Sequence, residues 1–179
     1  MYNKGDKVFF GDSGVSIIEN ITEMQSPDTK QIKKYYEIRP LFQSIKVFIP
    51  VDDKKSFIRP LITKQEAKDL TEHINKLEIY SFQGISIKDK ASYYNSLIKS
   101  RKCSDLLKLI ISVYIKKSEN ENTSRQSITD ERYCSKAEIL LYGELSVVLG
   151  LSFKETSMLM KTKIDHYIEE RKDSDIQGK

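Results

Sequence analysis

Apolar and polar positions alternate in short bursts over residues 1–61 and then switch to spacings of three and four. Lys7–Phe10 is β-prone, and Gly11-Asp12-Ser13-Gly14 supplies a turn. Val15, Ile17 and Ile21 interleave with Ser16, Glu19 and Thr22, giving a partly alternating second strand. Ser26-Pro27-Asp28 breaks it, 33–39 resumes the pattern before Pro40, and 44–49 forms a strand stopped by Pro50. The stretch 57–61 contains Pro60, which assigns it to a sheet edge. Five short strands joined by tight turns predict a small Tudor-like or SH3-like β-barrel.

The helical grammar begins at Thr63-Lys64-Gln65-Glu66, which has capping-box spacing, followed by Leu70, Ile74 and Leu77. Residues 81–87, with Gly84, read as a loop within a connection near 78–87. A helix over 88–99 follows, and Ser104-Asp105 caps another over 106–117. That helix carries Leu106, Leu107, Ile110, Ile111 and Tyr114 on overlapping faces and is predicted to be largely buried. Residues 118–127 are polar and predict a mobile loop. The longest predicted helix is 129–149, with Tyr133, Ala137, Leu140, Leu141, Leu145 and Val148 as its stripe. Ser152 and Glu155 repeat the capping-box spacing before Met158, Leu159 and Ile164. The expected organisation is α+β: a β-barrel domain at 1–63, an all-α compact domain at 64–170 and a flexible tail at 171–179.

Composition adds a constraint on partners. The chain has 179 residues, 39% hydrophobic and 31% charged, which suits modest cores and a charged surface. Its apolar runs fall short of the roughly 18 residues of a membrane span, and no hydrophobic signal region precedes the first strand, so a cytoplasmic protein is expected. Cys103 and Cys134 read as reduced thiols. Residues 84–117 carry Lys88, Lys90, Lys99, Arg101, Lys102, Lys108, Lys116 and Lys117 against only Asp89 and Asp105. Such a concentration is the footprint of a phosphate-binding face or of a solvated helix face. Catalytic and metal readings fail one by one. His73 and His166 have no ligand spacing, the cysteines form no CxxC motif, and Asp52-Asp53 sits beside Lys54-Lys55 as a charged turn. Gly11-Asp12-Ser13-Gly14 lacks the rest of a phosphate loop. No enzyme, metal or cofactor is expected.

The ordered set of motifs resembles the CarD/CdnL-type transcription regulators over roughly residues 1–165. Gly5-Asp6-Lys7-Val8 with Gly14, Ile18-Glu19-Asn20-Ile21, Tyr35-Tyr36, Val47-Phe48-Ile49-Pro50 and Ile58-Arg59-Pro60-Leu61 carry it in the first domain. In the second, Ser104-Asp105, Asp130-Glu131-Arg132-Tyr133, Ala137-Glu138 and Leu140-Leu141-Tyr142-Gly143-Glu144-Leu145 resemble the clostridial branch. The resemblance implies a nucleoid-associated, monomeric regulator without base-sequence specificity. Its first domain, related to one in the transcription-repair coupling factor, would dock on the RNA polymerase β subunit. Its second would touch promoter DNA at the upstream edge of the transcription bubble, where the family wedges a tryptophan into the minor groove and stabilises the open complex. This chain has no tryptophan. Aligning Ser86-Ile87-Lys88-Asp89 with the family's Trp-Ile-x-Asp puts Ser86 at the wedge position and Tyr93 where an arginine is usual. Phe82, Ile85, Ile87, Tyr93 and Tyr94 are the neighbouring substitutes.

On this resemblance the polymerase-side residues are Tyr36, Arg39, Lys46, Phe48 and Arg59. Phe48 reads either as an exposed anchor or as a core residue. Tyr35 and Tyr36 alternate across the sheet, so at most one of them is expected to be buried. The DNA-side residues are Ser86, Lys88, Lys90, Tyr93, Lys99, Arg101, Lys102 and Arg132, with the cations set against phosphates. An adaptor that docks on a protein but has lost DNA contact, and a small enzyme with an unrecognised site, stay open as alternatives.

Overall fold

The computed structural model describes residues 1–27, 30–53, 56–79, 86–119 and 127–177, the side chains of 174–177 excepted. Two compact units are present, Met1–Ile62 and Thr63–Lys179.

The first unit is an antiparallel sheet of β1 (Lys7–Phe10), β2 (Gly14–Gln25), β3 (Ile32–Pro40), β4 (Val47–Pro50) and β5 (Ile58–Pro60), ordered β4-β3-β2-β1-β5. Gly14 opens β2 at φ +71°, a backbone angle that glycine reaches without strain. The sheet is open among the described residues, where the sequence predicted a closed barrel. Its edges, β4 and β5, are four and three residues long, and each ends in a proline with no N–H to give a closing rung.

One face of the sheet buries Val8, Ile18, Tyr36, Ile38 and Ile49, with Tyr2, Phe10, Ile21, Val47, Val51 and Ile58 packed around them. Burial of this set supplies the driving force for folding the unit. Tyr35 is buried as well, so the alternation rule misjudged the pair. Tyr35 lies in an inner strand, flanked in register by Thr22 of β2 and Pro50 of β4. Phe9 is fully buried; Val15 and Arg59 are its two cross-strand partners, and the Arg59 guanidinium sits 4.2 Å above its ring.

The second unit is helical: α1 (Lys64–Glu72), a short 3-10 turn (Ile74–Lys76), α2 (Ile87–Ser100), α3 (Cys103–Glu119), α4 (Ile128–Leu149) and α5 (Phe153–Gln177). Thr63 closes the predicted capping box with Glu66, and Ser152 and Glu155 exchange the equivalent bonds ahead of α5. Residues 103–105 correct the reading of a cap at Ser104. Arg101 ends α2 in the left-handed region, and the Lys102 carbonyl already accepts the Asp105 and Leu106 amides, so α3 starts at Cys103. The longest helix is α5, not α4. It runs seven residues into the segment read as a flexible tail, because 169–177 contains neither glycine nor proline to stop it.

α3 is the central element, buried at every position from Leu106 to Val113 except Lys108. It runs antiparallel to α4: Lys116 near its end reaches Asp130 near the start of α4, and the Cys103 thiol at its start donates to Glu144 Oε2 at 3.2 Å. α2 runs parallel to α4, since Lys90 meets Asp130 and Tyr94, four positions on, meets Tyr133. Asp130 therefore ties three helices. Its Oδ1 lies 2.6 Å from Lys90 Nζ and its Oδ2 2.5 Å from Lys116 Nζ, with the Asp130 and Lys90 side chains both buried. Burial pushes the Asp130 carboxyl up, but the two ammonium groups outweigh burial and hold it below its ordinary value.

Replacing Asp130 by alanine leaves two lysines facing each other, and the expected loss is about 3–5 kcal/mol in urea unfolding. The pH dependence has a definite sign. A carboxyl with a depressed folded pKa contributes fully above its unfolded value, about 4, and loses that contribution as pH falls through the folded value. Acid titration of stability in Asp130→Asn should lack this component; an unchanged acid limb would show that the carboxylate carries no such load.

Candidate partner-binding surfaces

A bulge in the β2–β3 ladder between Ile18 and Asn20 organises the exposed chemistry of the first unit. Bulges re-aim the side chain of the extra residue. Here that residue is Glu19, whose carboxylate receives Arg39 Nε at one oxygen and Lys46 Nζ at the other, the latter at 3.0 Å. Lys46 also donates to Glu37 Oε1 at 2.6 Å. Arg39 first and Lys46 second hold the Glu19 carboxyl below its ordinary range, and Glu37 with Glu19 raises the Lys46 ammonium.

Phe48 pairs in register with Glu37 and is 44% exposed. The backbone on either side of it decides what this edge offers. Val51 N–H donates to Lys34 C=O at 2.9 Å. Bonded pairs alternate in an antiparallel ladder, so Ile49 and Val47 make the inward rungs with Tyr36 and Ile38. The N–H and C=O of Phe48 then point to the open edge, and Pro50, without an N–H, limits how far a partner strand can extend.

Of the five residues assigned to this side, Arg39, Lys46 and Phe48 come together around Glu19 and Glu37. Tyr36 does not join them. It is a core residue whose hydroxyl accepts the Tyr2 amide at 3.0 Å and whose ring meets that of Tyr2 edge-on at 6.1 Å. Arg59 stands on β5, at the opposite edge of the sheet, stacked on Phe9.

In the helical unit Ser86 is the N-cap of α2. Its hydroxyl accepts the Asp89 amide at 3.2 Å and donates to the Asp89 carboxylate at 2.7 Å. The position aligned with the family's wedge thus performs a local backbone task. Of its neighbours, Tyr94 is fully buried, Tyr93 is half-buried and Ile87 is 70% exposed, while Phe82 and Ile85 lie outside the described residues. Lys90 must be withdrawn as a phosphate contact, because it is 5% exposed and bound to Asp130. Burial depresses its ammonium pKa, partly offset by Asp130.

Lys88 and Lys99 are exposed on α2, eleven positions and about 16 Å apart, on one stripe with Ser92 and Asn95. Lys102 is exposed just beyond it, and Arg101 is the half-buried C-cap, with Nη1 3.4 Å from the Lys99 carbonyl. Arg132 is exposed in the second turn of α4, its guanidinium 5.3 Å from the Tyr133 ring, which in turn packs on Tyr94 of α2. These contacts place Arg132 beside α2.

Among the described residues no group of three or more His, Cys, Asp or Glu side chains is arranged to hold a metal, and no helix is long and apolar enough to cross a membrane. The open edge of β4, flanked by the exposed Phe48, is a geometry to which a partner strand can add. Residues 2–62 match the family model of the CarD-like/TRCF RID domain, so the N-terminal unit belongs to this family of RNA-polymerase-interacting domains. The match ends with the sheet, and no curated protein matches the chain.

The geometry separates two aromatic substitutions. Tyr36→Ala removes a buried ring and an amide partner and should cost about 3–5 kcal/mol. Phe48→Ala, on the surface, should stay within roughly 1 kcal/mol of wild type. Paired thermal and urea melts would check this, and equal losses would place Phe48 in the core.

Proposed function

We propose that this protein is a bacterial, cytoplasmic transcription regulator and not an enzyme. It acts as a monomer that docks on the RNA polymerase β subunit and contacts promoter DNA without reading its sequence. The observation that carries this reading is the match of residues 2–62 to an RNA-polymerase-interacting domain, joined to an open edge at Phe48. An exposed edge accepts a partner strand through main-chain bonds, and a neighbouring aromatic supplies the anchor.

For the DNA side, support comes from the exposed cations Lys88, Lys99, Lys102 and Arg132, which can neutralise backbone phosphates. Ile87, exposed directly after Ser86, is the described apolar side chain best placed to press against an unstacked base step. A contact made only in the melted promoter shifts the equilibrium toward it, and a differential of about 1.4 kcal/mol would change the open-to-closed ratio tenfold. A second reading, an adaptor with no productive DNA contact, is favoured by the capping role of Ser86.

Binding of the full chain to core polymerase should be weakened by Phe48→Ala with the fold intact, and absent wild-type binding would defeat the polymerase reading. Affinity for a fork-junction promoter fragment should fall steeply with salt. Each of Lys88→Ala, Lys99→Ala and Lys102→Ala should lower the slope of log affinity against log salt by about 1. Slopes equal to that of wild type would favour the adaptor.

A further inference from the structure

Two turns beyond Asp130, α4 carries a second carboxylate with the opposite surroundings. Glu138 is half-buried, and its Oε1 accepts the Tyr114 hydroxyl of α3 at 3.1 Å. Cys134 and Tyr142 stand one turn before and one turn after it, at the spacing that puts helix side chains on one stripe. Both are buried, and the Cys134 thiol interacts with the same carboxylate. The Tyr142 hydroxyl is buried without a hydrogen-bond partner, and its ring packs on Phe153 of α5. Helical side chains lean toward the N-terminus, which carries Tyr142 back over the turn of Glu138, and the Glu138 charge acts on that phenol.

The partners of the two carboxylates differ in kind. Asp130 lies between two ammonium groups, whereas Glu138 forms no ion pair among the described residues. Lys117 of α3 reaches Glu138 only through its field, and Asp165 of α5 adds negative charge beside Tyr114. The neutral Tyr94 of α2 stands beyond Cys134. Burial pushes the Glu138 carboxyl up, and Tyr114, Cys134 and Lys117 offset that only in part. A carboxylate held by a phenol and a thiol gains less from its charge than one held by cations. The protonated acid keeps the Tyr114 bond at one oxygen and has an O–H to give at the other.

We propose that Glu138 is a proton-binding site of the helical unit: in mild acid it takes up a proton, donates the new O–H to the Tyr142 hydroxyl oxygen and tightens the junction of α3, α4 and α5. Acidification then drives the two carboxyls of α4 in opposite directions. A group with a raised folded pKa contributes stability that is fully present below its unfolded value, about 4.3 for glutamate, and lost as pH rises through the folded value. Asp130 does the reverse, losing its contribution as pH falls.

Two measurements on the full chain test this. The Glu138 side-chain carboxyl carbon, followed by NMR, should titrate above the ordinary glutamate value of about 4.3, and Tyr142→Phe should lower that titration point. Glu138→Gln, a permanent stand-in for the protonated acid, should raise the urea midpoint above wild type at about pH 7, and the advantage should vanish by about pH 4. A wild-type Glu138 that titrates at or below about 4.3 would overturn the proposal, whether or not the variants fold. An equal midpoint difference at the two pH values would overturn it too, by tracing the effect to packing of the amide. A titration point unmoved by Tyr142→Phe would overturn the assignment of Tyr142 as the acceptor.

Discussion

The pairing of β2 with β3, interrupted once at Glu19, sets what the N-terminal unit can present. Ile18 opposite Ile38 and Ile21 opposite Tyr36 build the core face. The extra residue between those pairs leaves the core rungs intact and sends a carboxylate to the other face. There Glu19 gathers Arg39 from β3 and Lys46 from the connection that precedes β4. Lys46 also bonds Glu37 and Val47 pairs with Ile38, so the segment between Leu41 and Val47 is held at both ends. The same bulge thus separates a buried ladder from a presented one.

Asp130 plays the comparable part among the helices, by different physics. A buried ion pair gives little net stability when desolvation is counted, yet removing one member is costly. A carboxylate shared by Lys90 and Lys116 fixes which ends of α2, α3 and α4 meet. Its place in the first turn of α4, with Lys116 in the last turn of α3, also suits both helix dipoles. Geometry is thereby specified where apolar packing alone would tolerate sliding. It also means that two basic side chains of the 84–117 segment are taken up internally, so composition overstates the charge this segment offers a partner.

Features encoded within a few residues were legible in the sequence. Thr63 with Glu66 and Ser152 with Glu155 form the caps their spacing predicted, and Pro60 marks an edge strand. What failed depends on residues far apart in the chain. Lys90 reads as a surface cation until Asp130, forty positions later, is brought against it. Tyr36 reads as a possible anchor until Tyr2 closes over it. The exposure of Phe42 and Ile45 had no local sequence signal, because the connection that carries them is tethered through Lys46 to Glu37 and Glu19 on other parts of the sheet. Ser86 is the reverse case: its capping bond with Asp89 is local and visible in Ser-x-x-Asp spacing, but alignment to a tryptophan position drew the reading away from it.

The two units therefore put charge to opposite uses, and this bears on how the proposed activity would divide. In the sheet, charged side chains neutralise one another and leave apolar surface to face outward, a combination suited to a lasting contact that ionic conditions change little. In the helical unit, Lys88, Lys99, Lys102 and Arg132 remain exposed, which suits a phosphate contact that salt weakens strongly. A regulator built this way would stay on its protein partner while its hold on DNA responds to the promoter's state. The absence of tryptophan fits that division, since in the proposed DNA contact exposed cations and Ile87 would give a weaker and more reversible grip than a large intercalated ring.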